Sequence, residues 1–417
     1  MKKSFLFLLT LTILTHISVN SQVIRVNDST RISVLTCGPY QSEVYAKFGH
    51  SGLRVFDDSQ GIDLLFNWGI FSYDTDNFYA KFIIGYCDYS LGVTDTKNFL
   101  EEYRKRGSSV IEQVLNLNLK EKTDLIDLLT ENYKPENRQY RYNFVFDNCA
   151  TRPRDLITEA INQSHQYIVY HYPEHNPLTY RELITQYVGK NTWLMFGIDL
   201  IFGAKSDTIP TEKEAMFLPE ILKEEFFNAK IVSVDEPERP LVLKQTCIVP
   251  SCEPIISNTK KISFPFLVFL VILLIRIFCF WREIKLLGKK YLKIDSTLLI
   301  STGLIGCIAF FLTFISVHPM VGHNFNILWL MPLNLVAGVF IWFKPKRKIL
   351  FYYFIIYLIL ILISWGVYAS QIQALNIAFI PIILTMMLVA ISWIIRCDRA
   401  FHNRKSLFGF LKNYSKN

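Results

Sequence analysis

Three residues that are distant in the chain have the types needed for one nucleophilic centre: Cys149, His50 and Asn67. A cysteine attacks as its thiolate, and a histidine beside it can take the thiol proton and later return it to a leaving group. The run Tyr142-Asn143-Phe144-Val145-Phe146-Asp147-Asn148-Cys149 leads into Ala150-Thr151-Arg152-Pro153-Arg154-Asp155-Leu156-Ile157. That second run reads as a helix start capped by Asp147 or Asn148, with Cys149 in the first turn. A helix N-terminus and the nearby Arg152 and Arg154 all favour the thiolate. Unpaired N–H groups of that turn, with Asn148 and Arg152, are candidates to support an oxyanion or a substrate.

His50 belongs to Phe48-Gly49-His50-Ser51-Gly52-Leu53-Arg54-Val55-Phe56, which a turn rich in Asp, Ser and Gly joins to Asp63-Leu64-Leu65-Phe66-Asn67-Trp68-Gly69. This is a β-hairpin pattern with His50 at the start of its first strand. A turn centred near Ser59 sets His50 beside Asn67 or Trp68. Asn67 can then orient the imidazole and fix its tautomer, with Asp63 as the alternative third residue. Taken singly, each residue has an ordinary structural role: a helix-start cysteine, a strand histidine, a turn asparagine. Their combination is what points to catalysis. Neither Cys149 nor His50 sits in a paired-ligand spacing such as CxxC or HExxH, so no metal or cofactor is expected.

The elements that must hold these residues fall into two halves. Met1–Gln22 opens with Lys2 and Lys3, continues through an apolar stretch and ends in small residues. It reads as an export signal over residues 1–21, cut before Gln22 or kept as an anchor. Residues 22–258 have globular α+β composition and are long enough to bury a core. Residues 259–396 contain five apolar stretches of membrane-crossing length, near 262–281, 297–317, 327–343, 350–368 and 374–395. Residues 397–417 form a basic tail.

The net charge of +8 is concentrated beside those apolar stretches, which is the pattern of membrane orientation and not of nucleic-acid binding. Lys and Arg crowd the first and third connections and the tail, whereas His318–Asn326 and Ser370–Gln373 carry neither. The positive-inside rule therefore puts the tail in the cytoplasm and residues 22–258 outside. A short acidic-proline link lies near Asp235–Pro240. Of the exported cysteines, Cys247 and Cys252 are close enough in sequence to pair and Cys37 with Cys87 is a second possibility, which leaves Cys149 as the odd thiol.

The segments Thr36-Cys37-Gly38-Pro39, Phe48-Gly49-His50-Ser51, Asn67-Trp68-Gly69 and Asp147-Asn148-Cys149-Ala150-Thr151-Arg152 resemble the periplasmic domain of the Lnb family, lipoprotein N-acyltransferases of Bacteroides-type bacteria. The membrane stretch His318-Pro319, Asn324-Phe325-Asn326 and Leu328-Trp329-Leu330-Met331-Pro332-Leu333 is similar to that family's transmembrane domain. The His-before-Cys order also resembles the permuted papain-like NlpC/P60 and lecithin:retinol acyltransferase enzymes. The resemblance implies a permuted papain-like exported domain followed by five membrane helices in the bacterial inner membrane. It implies a phospholipid acyl donor, a Cys149 thioester, and the N-terminal amine of a diacylated lipoprotein as acceptor.

Other readings use the same Cys and His. A phospholipase or thioesterase would let water finish the reaction, and a peptidoglycan endopeptidase would not need five membrane helices. His318, His323, Asn324 and Asn326 are expected in one loop at the outer bilayer face, as helix caps or as a substrate or docking site. Trp193–Phe202 and Met216–Phe227 are apolar enough to be either core or a lipid-facing lid.

Overall fold

A computed structural model describes residues 24–71, 76–170, 177–234, 237–251, 263–285, 291–343 and 347–401. The export segment, Cys252 and most of the basic tail lie outside the described residues, as does part of the acidic-proline link. Ten strands are present: β1 Arg31–Cys37, β2 His50–Asp57, β3 Ile62–Ile70, β4 Cys87–Asp95, β5 Val110–Leu115, β6 Gln139–Tyr142, β7 Tyr167–Val169, β8 Lys230–Val232, β9 Arg239–Pro240 and β10 Val242–Val249. Seven form an antiparallel sheet in the order β10-β5-β1-β2-β3-β4-β6, and β7-β8-β9 form a small second sheet. The link near Asp235–Pro240 thus ends in a strand, because Arg239 and Pro240 pair with Ile231 and Lys230.

Apolar alternation along the central strands explains the layering. Ile32, Val34, Leu53, Val55, Phe66 and Trp68 face helices Leu119–Tyr133, Thr151–Gln163 and Pro219–Asn228. Leu35, Cys37, Leu65 and Val110 face helix Thr96–Arg106 on the other side. Ile157 and Ile161 are fully buried against the first face. Each contributes about 1.5–3 kcal/mol by area burial, so the helix that follows Cys149 is held firmly on the sheet. The Met216–Phe227 stretch is core: Met216, Phe217, Leu218, Leu222 and Phe226 are buried.

Among the described residues of the second half, four helices are long and apolar enough to cross a bilayer: Phe264–Lys285, Leu292–Phe314, Lys348–Ala369 and Phe379–Asp398. The stretch expected as a span at 327–343 is not a continuous helix. A 3-10 turn at Phe325–Leu328 is followed by a break and by a short helix, Leu333–Phe340. Pro332 causes the break, since it has no N–H to donate and disfavours helical backbone at Met331. The carbonyl of Trp329 accepts from the Tyr357 hydroxyl at 2.7 Å, and the Trp329 indole donates to Tyr368 at 2.8 Å. Tyr368 in turn donates to Asn326, and Tyr353 to Asn334. Side chains of the neighbouring helix thereby satisfy polar groups that lipid could not.

The broken segment presses on helix Leu292–Phe314 without intervening side chains. A Cβ on Gly306 would fall 1.6 Å from the Leu330 carbonyl oxygen, and one on Gly303 2.1 Å from the Leu335 nitrogen. Near the opposite end of the bundle a buried charge cluster joins three helices. Arg276 and Arg396 pair with Asp295 at 3.2 and 3.1 Å, and Arg396 also pairs with Glu283. The last helix begins at Phe379, later than the Ala374 expected, because the preceding loop is held by its own polar side chains. Gln373 accepts from the Phe325 N–H at 2.8 Å and Asn376 donates to Asp199 at 2.7 Å.

Candidate active site

Cys149 and His50 are brought together by the sheet and the helix that packs on it. The regular helix starts at Thr151, and the turn before it is closed by Asn148, whose side-chain oxygen accepts from the N–H groups of Ala150 and Thr151 at 2.8 and 3.0 Å. The Asn148 carbonyl accepts from the Arg152 N–H at 3.1 Å. Asn148 therefore does the work of the cap, and Cys149 sits in the turn it closes. The Asn148 amide donates to the carbonyls of Phe144 and Phe217 at 2.8 and 2.9 Å. With both amide protons donated, this side chain is a buried brace for the turn.

On the facing element, Gly49 precedes His50 with φ +76°, and a Cβ there would lie 2.5 Å from the Cys37 carbonyl oxygen. Only glycine fits that bend, which delivers His50 to the first position of β2 opposite Cys37. His50 Nε2 lies 2.6 Å from Asn67 Oδ1 on β3. Continuing the β2–β3 register by one step sets Gly52 opposite Asn67, so no side chain stands between Asn67 and its diagonal neighbour His50. Asn67 holds Nε2 as the donor and leaves Nδ1 as the nitrogen available to the thiol.

The charges agree with that arrangement. Burial by itself would push the Cys149 thiol up, but the facing imidazolium, its hydrogen bond and the N–H and hydroxyl of Ser51 together hold it below its ordinary value. For His50, burial acts to lower its pKa, and the Cys149 charge with hydrogen bonds to Cys149 and Asn67 outweighs it, so the imidazole is raised. The two shifts run in opposite directions because each partner stabilises the charged form of the other.

Ser51 was not foreseen from the sequence. It is fully buried and donates to the Cys149 carbonyl at 3.0 Å, tying β2 to the catalytic turn. Its place directly after His50 in a glycine-flanked strand was the only available signal.

The remaining sequence candidates fall into two groups. Arg152 is paired with Asp147 and lies 4.2 Å over the Tyr140 ring, and Arg154 is paired with Asp155 at 2.9 Å. Each guanidinium is paired with a carboxylate, and the groups that lower the Cys149 thiol are His50 and Ser51. Asp63, the alternative to Asn67, binds Arg54 through both carboxylate oxygens at 2.7 and 2.8 Å.

His318, Asn324 and Asn326 do not line the Cys149 cavity. They form the junction between the two halves. Asn324 donates to the Leu200 carbonyl, and Asn326 to those of Asp199 and Leu200. His318 Nε2 donates to the Phe82 carbonyl at 2.8 Å. The Trp193–Ile201 helix is thus a docking element, with Phe196 stacked on Phe269 and edge-on to Phe379.

The other exported thiols differ from Cys149. Cys37 and Cys87 are free and buried, on strands separated by β2 and β3, so the possible Cys37–Cys87 pair does not form. Burial pushes the Cys37 thiol far up. The possible Cys247–Cys252 pair involves a residue outside the described set.

The reactive pair opens into a cavity of about 110 Å³ walled by Phe48, Phe71, Tyr89, Tyr142, Phe144 and Phe217. An aromatic wall of this kind suits an apolar ligand group and excludes water. Fold and site together define a periplasmic α+β domain in which Cys149 faces His50, mounted on a multi-pass inner-membrane bundle. Residues 22–186 match the Lnb N-terminal periplasmic domain and residues 257–400 the Lnb transmembrane domain. The chain belongs to the Lnb family, whose domains point to a membrane-associated enzyme of lipoprotein processing. No curated protein and no solved structure matches it.

Proposed function

We propose that this chain is a lipoprotein N-acyltransferase with Cys149 as nucleophile. The observation that carries the reading is the contact of a lowered-pKa thiol with an Asn67-oriented His50 inside an aromatic cavity. The Cys149 thiolate adds to an ester carbonyl of a phospholipid. Ala150 and Thr151 donate their N–H groups to Asn148, so the Cys149 N–H is the turn's donor to the developing oxyanion. As the tetrahedral adduct collapses, the C–O bond breaks and His50 gives its proton to the departing glycerol oxygen. The α-amine of a diacylglyceryl cysteine then adds to the thioester carbonyl and His50 removes a proton from that nitrogen. The C–S bond breaks, the thiolate returns and an amide remains.

A permuted papain-like arrangement is the fold reading that suits a helix-borne thiol facing a strand-borne histidine. The C-terminus is assigned to the cytoplasm. Reporter fusions after Lys348 and at the C-terminus are expected to be cytoplasmic, and fusions at Lys244 and Gly322 exported; a cytoplasmic reporter at Lys244 would overturn the orientation.

The chemistry is tested by incubating the protein with phospholipid and no acceptor. A species heavier by one acyl group and labile to neutral hydroxylamine should accumulate. A diacylglyceryl peptide with a free amine should discharge it, and the N-acetylated peptide should not. Discharge to water alone would make the protein a lipid hydrolase, and no acyl-enzyme at all would remove the reading.

A further inference from the structure

We propose that a continuous stack of aromatic rings, running from the Cys149 cavity to the end of the Leu292–Phe314 membrane helix, is the route by which an outer-leaflet phospholipid acyl chain reaches the thiol. The rings follow one another closely. Tyr142 stacks on Tyr89 at 4.3 Å, Tyr89 on Phe71 at 5.0 Å, Phe71 on Phe78 at 6.0 Å and Phe78 on Phe82 at 6.0 Å, and Phe82 meets His318 at 6.1 Å. The first three rings are walls of the catalytic cavity. The last two contacts lie on the bilayer side of the domain.

The middle of this route is the short helix Phe78–Ile84, whose sequence FYAKFII is apolar or aromatic at every position except Lys81, yet none of its residues is buried. Tyr79 is 74% exposed, Phe82 47% and Ile83 48%. An apolar surface of this kind on a soluble face would be unfavourable, so what it faces decides its meaning.

Its anchorage answers that. The Val317 N–H donates to the Ile84 carbonyl at 2.8 Å, the Ser316 hydroxyl to the same oxygen at 3.0 Å, and His318 to the Phe82 carbonyl. Gly85 ends the helix with φ +96°, and a Cβ there would lie 3.0 Å from Val317 and 3.1 Å from the His318 nitrogen. The helix is therefore fastened to the outer end of a membrane span. Phe314, Ile315 and Val317, which face outward from that end, extend the same apolar surface. An amphipathic or apolar helix at this level lies in the headgroup region, where lipid is its neighbour.

The stack adjoins the thiol without a break, and thioester formation is the step that requires the donor's ester carbonyl at Sγ. That assigns the phospholipid to this route. The identity of the cargo rests on the acyl-transfer reading; the presence of a lipid chain on the stack does not.

The test uses the full-length Cys149→Ala protein in phosphatidylethanolamine vesicles whose acyl chain carries a diazirine. After irradiation, adducts are expected on peptides containing Phe71, Phe78, Phe82 or Tyr89. Adducts confined to the four long membrane helices would overturn the route. So would stack adducts formed only by a photoreactive diacylglyceryl peptide or by another protein.

In the active protein, Tyr79→Asp and Phe82→Asp should each slow Cys149 acylation from vesicle phospholipid about tenfold, because a carboxylate is placed where hydrocarbon must pass. Val234→Asp, at an exposed apolar position outside the stack, should not. Tyr79→Asp leaves the Ile84 and Phe82 carbonyl contacts in place, so it guards against a folding artefact in Phe82→Asp. Unchanged acylation in both variants would overturn the proposal. Crosslinks on the stack in a protein that never forms an acyl-thioester would retire the transfer chemistry and keep the route. A thioester formed without such crosslinks would do the reverse.

Discussion

The catalytic turn and the junction loop are built from the same kinds of residue and end in opposite chemical states. At the turn, His50 and Asn67 meet a thiol, and one ring nitrogen remains directed at a group that can exchange a proton. At the junction, His318, Asn324 and Asn326 direct their donors to backbone carbonyls of the other half, at Phe82, Leu200 and Asp199. A histidine or asparagine bonded to peptide carbonyls is cement, because a peptide carbonyl neither gains nor loses a proton near neutrality. What separates the candidate site from the cement is the partner.

The sharpest way to break the comparison is to remove the reacting atom. Cys149→Ser should lower acyl loading by about a thousandfold or more, since an alcohol is far less ionised than this thiol and His50 must activate it unaided. Mass spectrometry of the acyl-enzyme reads the effect. Retained loading would place the chemistry elsewhere.

His50→Ala should lower loading about 100- to 10,000-fold. It should also change a pH profile. The imidazolium holds the thiol of the intact protein below its ordinary value, so the midpoint of its alkylation by iodoacetamide should lie below that of an ordinary thiol. Without His50 the effect of burial is left largely unopposed, and the alkylation midpoint must move up. Cys37, held protonated by burial in the same fold, should react slowly in both proteins.

Asn67→Ala should reduce loading about 10- to 100-fold, less than the loss of the base, because it supplies orientation and not the proton. Asp63→Ala should leave loading intact, its carboxylate being engaged with Arg54. If Asp63→Ala proved the more damaging, the third residue would be reassigned.

The smallest effect on chemistry belongs to the junction. Asn326→Ala should destabilise the detergent-solubilised protein by about 1–3 kcal/mol by leaving buried carbonyls unpaired, while the Cys149 alkylation rate stays the same. A lost alkylation rate in a folded Asn326→Ala protein would show that the two regions are chemically coupled after all.

The juxtaposition of Cys149, His50 and Asn67 was legible because local signals converged on it. A capped helix start fixes Cys149, and a hairpin with a readable turn brings His50 within reach of Asn67, both short-range rules. Ser51 was hidden because its role is a bond to a carbonyl ninety-eight positions away, which no local pattern encodes. The partner of Arg152 was hidden for a related reason: the sequence shows its charge but not that it pairs with Asp147.

In the membrane half, hydropathy marks apolar length well, and four stretches are long helices. Hydropathy does not register that Pro332 interrupts the remaining one, nor that Tyr357 and Tyr368 compensate across the bundle. The junction role of Asn324 and Asn326 was beyond sequence for the same reason as Ser51, since their partners lie more than a hundred positions earlier.

The two junction contacts also have a mechanical meaning. A body joined to a platform by one chain can swing, and one joined at a second point can still turn about the line between them. A third, non-collinear attachment removes the last rotation. Here the Phe196–Phe269 stack is one attachment, the Ile84–Val317 contact another, and the Leu200–Asn324 and Asn326 contacts the third. The sulfur of Cys149 is consequently carried in a fixed relation to the membrane helices, like a stylus on a rigid arm.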